Sequence, residues 1–229
     1  MKVLSGGAAA AVVKDVQDQF RQLTGHTVEA SFSAVGAMRD QLLAGAPCDL
    51  VILTRALVAQ LVASGHVRAG TERSLGTVRT GIAVKAGQAH PAIGSRDGLA
   101  AALRAARGIY FPDPQNATAG IHFMRVLNVL GLDQSHASAL RAYPNGATAM
   151  AAMAQSDEAG LIGCTQVTEI NYTPGVELVG ALPSEFELAT DYTLGICSAC
   201  AAPEQARILA DLLTGPASEA IRRKGGFEF

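Results

Sequence analysis

The residues able to do chemistry in this chain gather at small-residue turns that open helices. Ser5-Gly6-Gly7, Ala34-Val35-Gly36 and Pro144-Asn145-Gly146 each stand where a helix is expected to begin. The first N–H groups of a helix lack intrahelical partners and carry the positive end of its dipole, so such turns suit an anion. Arg55 follows an apolar run directly, where its guanidinium could hold a carboxylate through two hydrogen bonds. Its other reading is a solvated arginine in a first helical turn. Arg79 offers the same two choices in a later strand. Asn116 and Thr118 precede another helix, which one of them is expected to cap, and capping is compatible with ligand contact. Cys164, at a strand end, is a thiol beside the ligand or, more simply, a small packing residue. His122 is the one histidine near such a loop. It reads first as a helix-surface or lobe-interface residue and only second as a proton-transfer group. No G-x-S-x-G, HExxH or Walker sequence is present, so the ordinary enzyme classes gain no support.

These turns need strands and helices to hold them. Lys2-Val3-Leu4 is a minimal strand, and Ala8 to Leu23 a helix whose Val12, Val16, Phe20 and Leu23 form an apolar stripe. Val28, Ala30 and Phe32 alternate with polar neighbours as a strand does. A helix follows from about Ala37 to Leu43, ended by Gly45-Ala46-Pro47, and Leu50 to Leu53 is a buried strand. Further on, the pattern predicts a helix at Arg55–Ala63, a loop through Gly76 and a strand at Val78–Val84. It then predicts a helix ending at Ala106, a strand at Gly108–Phe111, and a helix over Ile121–Leu130. The last part holds strands at Ala139–Tyr143, Ala159–Cys164 and Tyr192–Cys200, with a helix to Gln155 and closing helices at Pro203–Leu213 and Pro216–Lys224. Repeated strand–turn–helix units argue for an α/β sheet with ligand-facing loops at the strand C-termini.

Composition narrows the classes. The chain has 229 residues, 49% hydrophobic, enough for one large domain or two small lobes. A net charge of −2 gives no footprint for nucleic acid or an anionic membrane, and the absence of tryptophan argues against a carbohydrate-stacking cleft. No apolar run approaches the roughly 20 residues that span a bilayer. Cys48, Cys164, Cys197 and Cys200 show no disulfide-framework spacing. The Cys197-x-x-Cys200 pair is expected within a strand, where residues three apart face opposite ways, so it reads as core packing and not as a zinc site. Neither a metal nor a cofactor is expected.

Taken along its length, the chain resembles the periplasmic molybdate-binding proteins of ABC importers. The resemblance rests on VLSGGAAAAVVKDVQDQF, TGHTVEASFSAVGAMRDQLLAGAPCDLVIL, PDPQNATAGIHFMRVLNVLGL and EQARILADLLTGPASEAIRRKGGF. It implies an α/β, two-lobed type 2 periplasmic-binding-protein fold. Each lobe would be a mixed, mainly parallel sheet flanked by helices, with the ligand cleft between lobes and closure by a hinge. Lobe one would be residues 1–78 plus 193–229, and lobe two 79–192. The resemblance also implies an ABC importer membrane subunit as partner if the protein is exported. Its location would be periplasmic if a leader has been removed, and cytoplasmic otherwise.

The same resemblance places hydroxyl ligands of the family near Ala8 and at Val35, and a tyrosine near Gly163 or Cys164. This chain has none of them there. A desolvated oxyanion without its neutral donors loses about 1–3 kcal/mol for each unmade hydrogen bond. Ser5 could reach the site only from an earlier turn position. Valine and glycine in place of hydroxyl residues leave room for a larger, partly organic ligand, and two arginines suit a di- or tricarboxylate. The expected function is therefore binding of a small anionic solute. The alternative is an isomerase resembling aconitate isomerases of the same fold, which move a proton and a double bond within a tricarboxylic acid.

Overall fold

The computed structural model describes residues 1–229. In chain order its first elements are β1 (Lys2–Gly6), α1 (Ala10–Thr24), β2 (Glu29–Ser33), α2 (Val35–Leu43), β3 (Leu50–Thr54), α3 (Arg55–Ala63) and β4 (Arg73–Lys85). Next come α4 (Arg96–Ala105), β5 (Gly108–Pro112), α5 (Thr118–Val129), α6 (Leu132–Ser135), β6 (Leu140–Tyr143) and α7 (Gly146–Gln155). The chain ends with β7 (Leu161–Gln166), α8 (Val167–Asn171), β8 (Val176–Ala181), β9 (Ala189–Ile196), α9 (Pro203–Thr214), α10 (Glu219–Gly225) and β10 (Phe227–Glu228). It divides into two compact units, Met1–Val78 with Thr190–Phe229, and Arg79–Ala189. The return to the first unit comes at Thr190, where the sequence reading had placed it at 193.

In the first unit β1 lies between β2 and β3 and parallel to both, while β9 adds antiparallel to β3. Leu50 to Leu53 are fully buried, and the Val12, Val16 and Phe20 stripe of α1 is buried too. Leu23, expected on that stripe, is on the last turn and 61% exposed. Gly25 ends α1 at φ 73°, its N–H returning to the Arg21 carbonyl. The helix starts at Ala10 and not Ala8, because β1 runs through Gly6 and Gly7–Ala9 form a 3-10 turn. β4 starts at Arg73, inside the expected loop, and near that end Phe227 and Glu228 of β10 pair with its Val78 and Thr77. Gly76 permits this: its φ is 123°, and a Cβ there would lie 2.9 Å from the Glu228 carbonyl oxygen.

In the second unit β5 is parallel to β6 and β7, and β4 is antiparallel to β7 and β8. One face of this sheet packs Ile82, Ile109, Phe111 and Cys164 against Leu99, Leu103, Phe123 and Leu127. The other packs Ala83, Tyr110 and Leu161 against Met150, Met153 and Ile170. Cys164 is completely buried, and that burial pushes its thiol well above the ordinary value.

Candidate functional site

The first unit brings its predicted turns to one edge. Gly6 is level with Ser33, and Ser5 with Ile52, so β1, β2 and β3 end together and α1, α2 and α3 begin there. The Thr54 hydroxyl caps α3 by accepting from the Leu57 N–H at 3.4 Å. α2 differs, since its N-cap is Ala34 and no side chain caps it. Its first donors therefore stand open to an outside acceptor. Val35 closes over Gly6, where a Cβ would lie 2.7 Å from Val35 Cγ1 and 3.1 Å from Tyr192 Cε1. This corner presents methyl and ring carbon beside backbone N–H. Ser5 is buried, and its hydroxyl donates to the Gly6 carbonyl at 2.9 Å. Gly7 begins the 3-10 turn, and Gly36 is buried in the first turn of α2.

Arg55 is exposed, and its Nη2 donates to Asp191 Oδ2 at 2.5 Å. Burial pushes the Asp191 carboxyl up, but bonds from Arg55, Thr193 and Ser74 more than offset it, and the group sits below the usual carboxylate range. Arg79, in the second unit, donates to Glu187 at 2.5 Å. Each predicted carboxylate clamp thus has a carboxylate of this chain against it, and an outside acid would compete with that pair or share the guanidinium.

The second unit assigns its turns unequally. At the end of β5, Asp113 accepts from the Gln115 and Asn116 N–H groups and from the Asn116 side-chain amide. These bonds, the Asn116 amide foremost, hold its carboxyl below the ordinary value. Neither Asn116 nor Thr118 caps α5, contrary to the sequence reading. Asn116 is turned back to Asp113, Thr118 is the first helical residue, and the N-cap is Ala117 with no side-chain cap. The helix begins at Thr118 and not Ile121 because the Asp113 turn delivers the chain in helical register. Like α2, α5 keeps its first donors open. His122 turns Nε2 to the Phe186 carbonyl oxygen at 2.7 Å, a bond inside this unit.

At the start of α7 the opposite holds. The Asn145 side chain accepts from the Thr148 N–H at 2.9 Å. The Glu169 carboxylate takes the backbone donors of Gly146 and Ala147, together with Gln166 N–H and the Thr165 hydroxyl. Burial raises the Glu169 carboxyl above its ordinary value, and those four bonds pull it back. Gly146 is obligatory here, because a Cβ would overlap both the Thr165 hydroxyl and the Glu169 carboxylate. The Pro144-Asn145-Gly146 turn, expected to meet a ligand, already holds a carboxyl group of the chain itself. Glu169 stands three residues after the N-cap Gln166, the spacing of a capping-box glutamate, and this was the signal available in the sequence.

Two further residues were missed. Thr80, on β4 level with Gln166, and Thr168, in the first turn of α8, are each 1% exposed, and their hydroxyls have no hydrogen-bond partner. Buried polar atoms are nearly always paired, so two orphans in one unit call for an explanation. A threonine in a strand reads only as a good strand former, and no sequence signal marks these two. No group of three or more His, Cys, Asp or Glu side chains able to hold a metal ion is present, and no helix is long and apolar enough to cross a membrane.

Comparison with known proteins agrees with this architecture. The family model described as bacterial extracellular solute-binding protein matches residues 1–228. An aconitate isomerase from a Pseudomonas species is 28% identical over 234 residues, covering 98% of this chain and 86% of that protein. The periplasmic molybdate-binding protein of Azotobacter vinelandii superposes with a TM-score of 0.81 at 20% identity, covering 100% of this chain and 99% of that one. The sulfate-binding protein SubI of Mycobacterium tuberculosis gives 0.75 at 15% identity, with 99% and 85% covered. PEB3 with bound L-phospholactate gives 0.70 at 15%, with 100% and 99% covered; PEB3 is from Campylobacter jejuni. The α/β periplasmic-binding-protein fold expected from the sequence is the fold found.

Proposed function

Because the chain belongs to the bacterial extracellular solute-binding protein family, we propose that it binds a small organic anion bearing two or three carboxylates. The observation that carries this reading is the pair of buried, unpartnered hydroxyls on Thr80 and Thr168. A carboxylate accepting from them would remove a cost of about 1–3 kcal/mol for each orphan. Within the same unit, the open helix start of α5 supplies further neutral donors. In the first unit, the open start of α2 carries Val35, which favours a ligand with a carbon skeleton over a bare oxyanion, since the latter would ask for a hydroxyl there. The bound L-phospholactate in PEB3 is a small organic acid on this fold. In an exported protein the partner is the membrane subunit of an ABC importer, and the compartment is the periplasm.

A thermal-shift panel of trans-aconitate, citrate, molybdate, tungstate and sulfate tests the reading. A ligand at 100 times its Kd stabilises by about 2.7 kcal/mol, a rise in Tm of roughly 5–10 °C for a chain of this size. Stabilisation by the inorganic oxyanions alone would refute the carboxylate assignment. Unchanged carboxylate affinity in both Arg55→Ala and Arg79→Ala would remove the arginines from the site.

The match to an aconitate isomerase along nearly the whole chain favours a second reading, isomerisation of a bound tricarboxylate. A proton would leave one carbon and return to another as the double bond moves, with no change in composition. Ultraviolet absorbance of trans-aconitate incubated with the protein separates the two: conversion to the cis form establishes catalysis, and binding without conversion leaves a solute-binding protein.

A further inference from the structure

Three of the four cysteines meet in the first unit, at the end of the sheet opposite the open helix starts. Cys48 enters β3 after the Gly45-Ala46-Pro47 turn, and Cys197 follows the last residue of β9. The antiparallel ladder that sets Leu50 against Ile196 brings them together, with the Cys197 N–H donating to the Asp49 carbonyl at 2.9 Å. Cys197 also bridges to Val67, so its backbone is held on both sides. The C-x-x-C segment is therefore a turn and not the strand expected from the sequence, with the Cys200 N–H returning to the Cys197 carbonyl at 3.1 Å. Arg68 pins this turn by donating to the Ser198 and Cys200 carbonyls.

Inside that frame the Cys48 thiol donates to the Leu50 carbonyl at 3.2 Å and lies close enough to the Cys197 thiol to shift its titration. Both line a cavity of about 470 Å³ that is also bounded by Lys2, Asp49, His66 and Ser198. Cys200 lies behind them against Ile196 and Ala206. Cys164, by contrast, is sealed in the core of the second unit. We propose that Cys48 and Cys197 form a redox-active dithiol that undergoes thiol–disulfide exchange with a small-molecule disulfide of the glutathione class entering this cavity.

The two thiols have different parts. Interaction with Cys197 pulls the Cys48 thiol below its ordinary value, against burial and the nearby Asp49 charge, while Cys197 is pushed far up. Cys48 therefore loses its proton first and attacks. Its thiolate bonds to one sulfur of the disulfide and expels the other as a thiolate, which takes up a proton. Cys197 then gives its proton to solvent and attacks the Cys48 sulfur, releasing the second small thiolate, which is protonated in turn. Two electrons pass from the cysteines to the incoming disulfide, leaving one Cys48–Cys197 bond and two reduced thiols.

The experiment uses the wild-type chain with graded glutathione disulfide, quenching by acid and iodoacetamide, and peptide mapping without reductant. The expected result is a Cys48–Cys197 cross-linked peptide with loss of alkylation at those two residues, while Cys164 stays unoxidised. Cys197→Ser should stop the reaction at a glutathione adduct on Cys48, and Cys48→Ser should leave Cys197 reduced. Full alkylation of Cys48 and Cys197 after excess disulfide would overturn the proposal. So would a bond between Cys197 and Cys200, or a stable glutathione adduct on wild-type Cys48.

Discussion

Glu169→Gln keeps the shape of the side chain and removes its ability to ionise. In the folded chain the group is 8% exposed and receives the Thr165 hydroxyl and three backbone N–H groups. The folded carboxyl titrates above its ordinary value of 4.5 because burial disfavours the charge more than those donors favour it. Between 4.5 and that raised value the folded chain holds a proton the unfolded chain has lost. Stability from this group is thus complete below 4.5 and falls as pH rises through the folded value, by about 1.4 kcal/mol for each pH unit of that interval. Glutamine has no such slope. Its amide presents two N–H groups where the protonated carboxyl presents one O–H, so at least one more buried donor goes unpaired, at about 1–3 kcal/mol. Wild type should therefore exceed Glu169→Gln in stability at pH 4, and the gap should narrow toward pH 7. Urea unfolding of both proteins at pH 4, 5, 6 and 7 gives the difference directly, since every other titrating group is common to both. A gap that widens with pH would mean that the hydrogen bonds outweigh burial, and would refute the reasoning.

Thr80→Val and Thr168→Val each delete an orphan hydroxyl. Ligand-free stability should hold or rise by about 1 kcal/mol, while trans-aconitate affinity falls roughly tenfold, both read by urea unfolding and titration calorimetry. Gly120→Ala should cost about 2–3 kcal/mol in urea, because its Cβ would overlap the Pro112 and Asp113 carbonyl oxygens, which are backbone and cannot swing aside. Arg222→Ala should destabilise the chain by about 3–5 kcal/mol in the same assay. Buried Arg222 donates to the Leu75, Thr214 and Gly215 carbonyls and to the Ser218 hydroxyl, and all four would lose that donor.

Elements set by local chemistry were readable in the chain. β3 is a run of apolar residues between a Gly-Ala-Pro turn and the capping Thr54, and α3 follows at Arg55 as its pattern says. Gly25 marks the end of α1 because a left-handed residue is needed there. Elements set by distant partners were not readable. The N-terminal part of β4 pairs with β10, about 150 residues away, and includes a glycine whose φ no periodicity reveals. The early start of α5 depends on where the Asp113 side chain turns. For the candidate site, the anion-ready turns could be located from small residues, but their state could not. Thr80 and Thr168 matter through what fails to reach them, and that is a property of packing.

The turn chemistry itself divides the helix starts into two kinds. Backbone donors at a strand C-terminus attract an anion whatever its source, so a carboxylate of the same chain competes with a ligand. At α7 the chain has won that competition, with Glu169 on two N–H groups and Asn145 on a third. At α3 the Thr54 hydroxyl does the same more weakly. α2 and α5 follow Ala34 and Ala117, residues with no acceptor to offer, although polar Ser33 and Asn116 stand immediately before them. Placing alanine at an N-cap forgoes about 1 kcal/mol of helix stability relative to serine or asparagine. A start left uncapped at that cost, on a helix that follows a parallel strand, keeps its donors for an acceptor from outside. By that criterion we propose the turns at Gly7 and Val35 as ligand-facing in the first unit and the turn at Thr118 in the second, with Pro144-Asn145-Gly146 as part of the frame.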